Sequence, residues 1–213
     1  MSTDWSTVSS LATAGGTLVL AVATFSSVRS ANRAARTAER ALLVGLRPVL
    51  VPSRFQDEPE KVMWGDRHWA KVAGGCASVE ILDGVVYLAM SLRNVGSGIG
   101  VLHGWHAFDS WGGDAPPHRG PDEFRTQLRD LVIAPADRGF WQGAIRDTTD
   151  PDHLSIRSVI DARRPFTIDL LYGDHEGGQR TIARIGLFPR DNEETQWLLS
   201  LAHLWNLDRP DPR

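Results

Sequence analysis

From Trp5 to Val28 the chain carries no charged side chain, and five arginines then follow within nineteen positions, at 29, 33, 36, 40 and 47. Twenty-four uncharged residues wound into a helix span about 36 Å at ~1.5 Å per residue. A bilayer's hydrocarbon core is about 30 Å thick, so the stretch is read as a tilted transmembrane helix. Leu18, Leu20 and Phe25 would face lipid, and Trp5 would lie at the outer interface, where Trp commonly sits. The span also holds Ser9, Ser10, Thr13, Thr17, Thr24, Ser26 and Ser27. Hydroxyls can bond back to their own helix, so lipid tolerates them at some loss of insertion energy. A cleavable signal would begin with basic residues, whereas here they follow the apolar run. Basic flanks stay inside, so Arg29, Arg33, Arg36 and Arg40 predict a short external N-terminus and a cytoplasmic remainder beneath the inner membrane. Ala12 and Gly16 form a small-xxx-small pair, which gives a homo-oligomer through the span as an expectation.

The helix is predicted to continue from Arg29 through an alanine-rich segment until Pro48 stops it. Its arginines at 29, 33, 36 and 40 are spaced four, three and four apart and share one face. That face could meet anionic headgroups, the alanines opposite could form a coiled-coil seam, or the stalk could be a solvated helix whose arginines only set topology. The chain thus divides into residues 1–47, span and stalk, and a single domain over 48–213. Residues 1–47 hold five Arg against Asp4 and Glu39, a net of +3; with the whole chain at −3, residues 48–213 stand at −6. An acidic domain without a basic stripe is a poor nucleic-acid binder. Cys76 is the only cysteine, so no internal disulfide forms. It is read as a small packing residue in a reducing cytosol.

The domain reads as strands and turns. Val85–Asn94 alternates with period two, and Asp83-Gly84 joins it to Ser78–Leu82 as a hairpin. Phe166–Tyr172 and Arg180–Phe188 repeat the pattern around a glycine-rich tip. Pro48–Arg54, Val101–Asp109, Asp130–Ala134 and Gly139–Arg146 supply further strands. Seven or eight short strands without strand–helix alternation predict an antiparallel, immunoglobulin-like β-sandwich. Residues 152–163 could form a short helix. Over Glu193–Leu207, Trp197, Leu198, Leu201, Leu204 and Trp205 lie on one helical stripe, which predicts a C-terminal accessory helix covering the sheet. Gly112–Asp122 is rich in Pro and Gly and is expected to be a mobile loop.

Chemical motifs are sparse. Gly96-Ser97-Gly98-Ile99-Gly100 precedes a strand rather than the helix a phosphate loop requires, so it reads as a tight connection. His103 and His106 would point to opposite faces of a regular strand, which argues against a shared metal. No elbow for an acyl-transfer nucleophile occurs. Asp174, His175 and Glu176 cluster at a predicted hairpin tip and, with Arg180, form the exposed patch chosen for interaction. No catalytic residue, cofactor or metal is assigned.

The layout resembles a class of single-pass bacterial membrane proteins that carry an N-terminal span, an Arg/Ala-rich stalk and a cytosolic β domain. The resemblance rests on LRPVLVPS (46–53) and LRNVGSGIG (92–100) within that layout. It implies architecture and brings no catalytic residues with it. The expectation is a membrane-anchored, non-enzymatic interaction or scaffold module that presents its β domain to a protein partner. The alternative is an enzyme or small-ligand sensor whose site is assembled from residues distant in sequence.

Overall fold

The computed structural model describes residues 5–112, 115–191 and 193–208. The chain divides into two units, Met1–Val44 and Gly45–Arg213. The first is helical: α1 runs from Trp5 to Gly45. Alanine, leucine and arginine favour it, and the residue before Pro48 is driven out of helical conformation, which ends it. Leu18 is 67%, Leu20 68% and Phe25 68% exposed, and Arg29, Arg33, Arg36 and Arg40 are exposed as well. Thr13 and Thr17 each donate back to the carbonyl four residues earlier, at 2.9 Å. No helix among the described residues is long and apolar enough to cross a membrane, so the expected transmembrane span finds no support in the helix itself. Length is sufficient; its many hydroxyl side chains and the alanines and glycines between them lower its apolar character.

The second unit is mainly β. Its elements are β1 (Leu50–Pro52), β2 (Glu60–Met63), β3 (Trp69–Val72), β4 (Cys76–Leu82), β5 (Val85–Asn94), β6 (Gly100–Phe108), β7 (Arg125–Ile133), β8 (Arg138–Ile145), α2 (Pro151–Asp161), β9 (Phe166–Gly173), β10 (Thr181–Arg190) and β11 (Glu193–Asn206). The Asp83-Gly84 hairpin forms as expected, with both residues at positive φ, 50° and 80°. The β9–β10 hairpin also follows the alternation read for it.

One nine-stranded antiparallel sheet runs β1-β5-β4-β11-β10-β9-β6-β7, with β8 on the free side of β5. It curls around a main core in which Trp141, Trp197, Tyr172 and Phe166 are fully buried. α2 adds Ile156 and Val159 to that core. The separate β2–β3 hairpin packs Val62, Trp64, Ala70 and Val72 on Tyr87 and Ala89 of β5.

The C-terminal accessory helix is corrected: Glu193–Asn206 is a strand. β11 pairs with β10 along its length and has a bulge at Ala202, because Arg184 opposes His203 while Ile185 opposes Leu201. Trp197, Leu199, Leu201 and, past the bulge, Leu204 therefore pack on the same core. A spacing of four followed by three satisfies a helix turn and also a strand with one extra residue. Long-range pairing decides between them. β11 also pairs with β4, joining two groups of strands into one path, so one curled sheet replaces the expected two-sheet sandwich.

Of the loop expected to be mobile, Gly112–Asp122, residues Gly113 and Asp114 lie outside the described residues, and two others contact the sheet. Pro116 O accepts Arg184 Nη1 at 2.7 Å, and the His118 ring lies 5.1 Å from Trp205. Just before the loop, Trp111 fills the space over Gly186, where a Cβ would lie 2.1 Å from its ring.

Buried Asn94 explains the glycine motif. Its Nδ2 donates to Gly98 O (2.7 Å) and Ile133 O (3.1 Å), while its Oδ1 accepts Val49 N (3.1 Å) and Gly96 N (2.9 Å). The loop thereby lies against the entry to β1, and a Cβ on Gly98 would fall 1.7 Å from Leu46 O. Asn94→Ala leaves these groups without their partner and is expected to destabilise the β unit by on the order of 3 kcal/mol, read as a lower urea midpoint at unchanged slope. A loss below about 1 kcal/mol would show that the loop holds its place without this side chain.

Candidate functional site

The site arises where the curled sheet stops pairing. Across β6, Leu102 pairs with Leu131 and Tyr172 and Gly104 with Thr126 and Leu171, which leaves His103 as a bulge. The bulge resets the alternation, so Leu102, Trp105 and Ala107 all reach the core. On β7 the same break is wider: Gln127, Leu128, Arg129 and Asp130 have no register partner on β6. Leu128, within that excursion, is 98% exposed.

This excursion and the facing residues of β8 line a cleft of about 530 Å³, with Trp64, Trp105 and Arg146 completing it. No ladder joins β7 to β8. A side chain crosses instead: Gln127 Nε2 donates to Gln142 O at 3.1 Å. Trp64 Nε1 donates to the neighbouring Gly143 O at 3.0 Å. Glycine is required at 143, because a Cβ would lie 2.8 Å from the Trp141 ring and 2.9 Å from that of Trp105. Those indoles meet edge to face, 5.2 Å between centroids.

Three guanidinium groups line the cleft. Arg125 lies over Trp105, 5.7 Å from the ring, and its Nη2 donates to Asp150 Oδ2 (2.5 Å) and Asp152 Oδ2 (2.8 Å). Burial pulls its pKa down, but bonds to Asp152 and Asp150 outweigh that and raise it. Asp150 also caps α2, accepting Asp152 N at 2.9 Å. Arg146 lies over Tyr87 and donates to Asp66 Oδ2 at 2.8 Å. Tyr87 donates to the same oxygen at 2.6 Å, the largest of the influences that hold the Asp66 carboxyl below its ordinary range. Arg129 has no carboxylate partner among the described residues. Arg125 Nε, Gln127 Oε1 and Gln142 Oε1 are buried without a hydrogen-bond partner. The cleft thus combines an apolar floor, fixed positive charge and unused polar atoms, the composition of a binding site.

The patch chosen from sequence lies elsewhere, on the β9–β10 turn. Asp174 is buried there: Oδ1 accepts Glu176 N (3.1 Å) and Gly178 N (2.8 Å), and Oδ2 accepts Gln179 Nε2 (3.1 Å). His175 faces Glu176 at 3.1 Å, and Arg180 Nη2 donates to Asp208 at 2.8 Å. Turn chemistry accounts for the Asp174 contacts, and Arg180 is taken up by Asp208 beyond β11. The topology residues Trp5, Leu18, Leu20, Phe25, Arg29, Arg33, Arg36 and Arg40 all lie on α1. Sequence reasoning missed Trp64, Trp105, Arg125, Gln127, Gln142 and Arg146, which come from separate segments. The one local signal was Leu128, an apolar residue inside the polar run 125–130.

Comparison with protein families, curated proteins and solved structures finds no match, so function is read from the site alone.

Beside the Arg125–Asp152 pair, His106 Nδ1 lies 3.7 Å from Asp152 Oδ2. Burial first and Arg119 second pull its pKa below the ordinary imidazole value, against the opposing pull of Asp152 and Asp169. The folded chain therefore holds this ring neutral, and the unfolded chain binds the extra proton. Its stabilising contribution is present above the unfolded pKa of about 6.5 and is lost as pH falls below it. The urea midpoint is expected to drop between pH 7 and pH 5, and to drop less in His106→Gln. Equal drops in both proteins would show that this ring does not carry the linkage.

Proposed function

We propose that the β unit is a non-enzymatic interaction module that receives a protein partner at the β7/β8 cleft, with α1 as its attachment to a membrane. The observation that carries this reading is the unpaired junction itself. The two ends of the sheet face each other across a cleft with an indole floor and an arginine rim. Arginines, amides and indoles are groups that grip a surface, and Trp and Arg are the residues that most often dominate protein interfaces. Two of the arginines are already held in place by Asp66, Asp150 and Asp152, so little side-chain entropy remains to be lost on binding.

Membrane attachment rests on the uncharged run before Val28 and the arginine face after it, with the N-terminus outside and the β unit in the cytoplasm. A mid-helix charge costs roughly 3 kcal/mol on insertion scales. Leu20→Arg is therefore expected to move the chain from the membrane pellet to the supernatant, and unchanged pelleting would remove α1 from the reading.

The partner site is tested separately. A photocrosslinking residue at Leu128 in the full chain, irradiated in native membranes, is expected to give a discrete protein adduct that Arg129→Glu suppresses. The same probe at Leu82, exposed on the β4–β5 hairpin, should not give it. Adducts of equal yield from both positions would overturn the assignment of the cleft.

A further inference from the structure

We infer that the cleft takes an extended, acidic segment of a protein partner as a guest β-strand along β8. This rests on the reading of the cleft as a partner site and names what enters it. β8 spans eight residues and pairs with β5 along one edge only. Its other edge faces β7, which leaves its own ladder at Gln127–Asp130 and so makes room. An unpaired strand edge is a template for another strand. One present contact imitates such pairing: the Gln127 amide donates to Gln142 O, in the manner of a main-chain N–H group.

The unused atoms point the same way. Gln127 Oε1 and Gln142 Oε1 lack a donor, and Arg125 Nε lacks an acceptor. A peptide main chain offers both, N–H and C=O, at short intervals. Side chains alternate along a strand, so one set can lie on Trp64 and Trp105 while the other reaches the rim. The rim sets the charge of that second set. The cleft lining includes Arg125, Arg129 and Arg146 and no carboxylate, in a domain whose net charge is −6. Arg129, with no carboxylate partner among the described residues, is the cation left for an incoming carboxylate.

The test uses the full chain purified in detergent and a labelled pool of nine-residue peptides in which Glu alternates with Val, Ile, Leu or Phe. Saturable binding measured by anisotropy is expected, weakened tenfold or more when alternate amides of the bound peptide are N-methylated. Arg129→Glu is expected to weaken it by a similar factor, and replacing Glu by Lys in the peptide should restore binding to that variant. Methylated peptides that bind as well as the parent would overturn strand pairing. So would a Glu-Val dipeptide that competes as effectively as the nine-residue peptide, since a small-ligand pocket would suffice. Self-association of the chain through the Leu128 crosslink would give the cleft to a second copy and overturn the inference. If no peptide in the pool binds while Leu128 still captures a protein adduct in membranes, the guest strand falls and the partner site stands. If both fail, both readings fall.

Discussion

A sheet that curls back on itself has to end somewhere, and each backbone N–H and C=O along its last edges needs a partner. This chain brings its two ends, β7 and β8, side by side without zipping them together. Continuous pairing would have made a closed barrel with no edge left. Closure is prevented by β7, which departs from β6 over Gln127–Asp130 and carries those residues away from the line a ladder would need. That departure begins opposite the His103 bulge of β6, which also turns Trp105 inward. A single irregularity therefore interrupts the sheet and supplies the floor of the cleft.

Fold and site differ in how far the sequence reveals them. Asp83-Gly84 and the 174–178 turn are legible because turn chemistry is local: few residue types tolerate positive φ, and Asp174 satisfies nearby N–H groups with its own carboxylate. β5 is legible because strict alternation has one reading. β11 is not, because its bulge at Ala202 converts strand spacing into helix spacing, and only pairing with β10 distinguishes them. Short strands without strand–helix alternation suggest a two-sheet sandwich, and only the pairing of β11 tells it from one curled sheet. Once β11 is a strand that pairs with both β10 and β4, a division into two sheets is lost. β2 and β3 escaped notice because four residues are too few to show a period.

The cleft was illegible for a related reason. Its floor needs Trp105 from β6, Gly143 from β8 and Trp64 from the segment after β2, and no spacing rule links them. Gly143 alone looks like a weak point in a strand; its role appears only with two indoles 2.8 and 2.9 Å from where its Cβ would be. The hairpin tip at 174–176 is conspicuous in sequence because its polar residues are consecutive. Consecutive polar residues at a turn mostly serve the turn, as Asp174 does.

Electrostatics explains how an acidic domain maintains a basic cleft. Asp150 and Asp152 at the start of α2 hold Arg125, and Asp66 holds Arg146. These carboxylates fix the guanidinium groups in position, yet none of them belongs to the cleft lining. A guanidinium has five N–H donors in a planar fork, so pairing at one end leaves donors at the other. Arg125 shows this directly: Nη2 is committed to both aspartates while Nε has no partner. The positive charge is thus partly compensated, and its directional bonding capacity is partly kept. Such a cleft favours an occupant that brings acceptors in register over one that brings negative charge alone, because attraction between diffuse charges is screened within about 10 Å at 0.1 M salt while a hydrogen bond to a fixed donor is not. If the cleft receives a partner as proposed, its selectivity follows from backbone and side-chain geometry first and from net charge second.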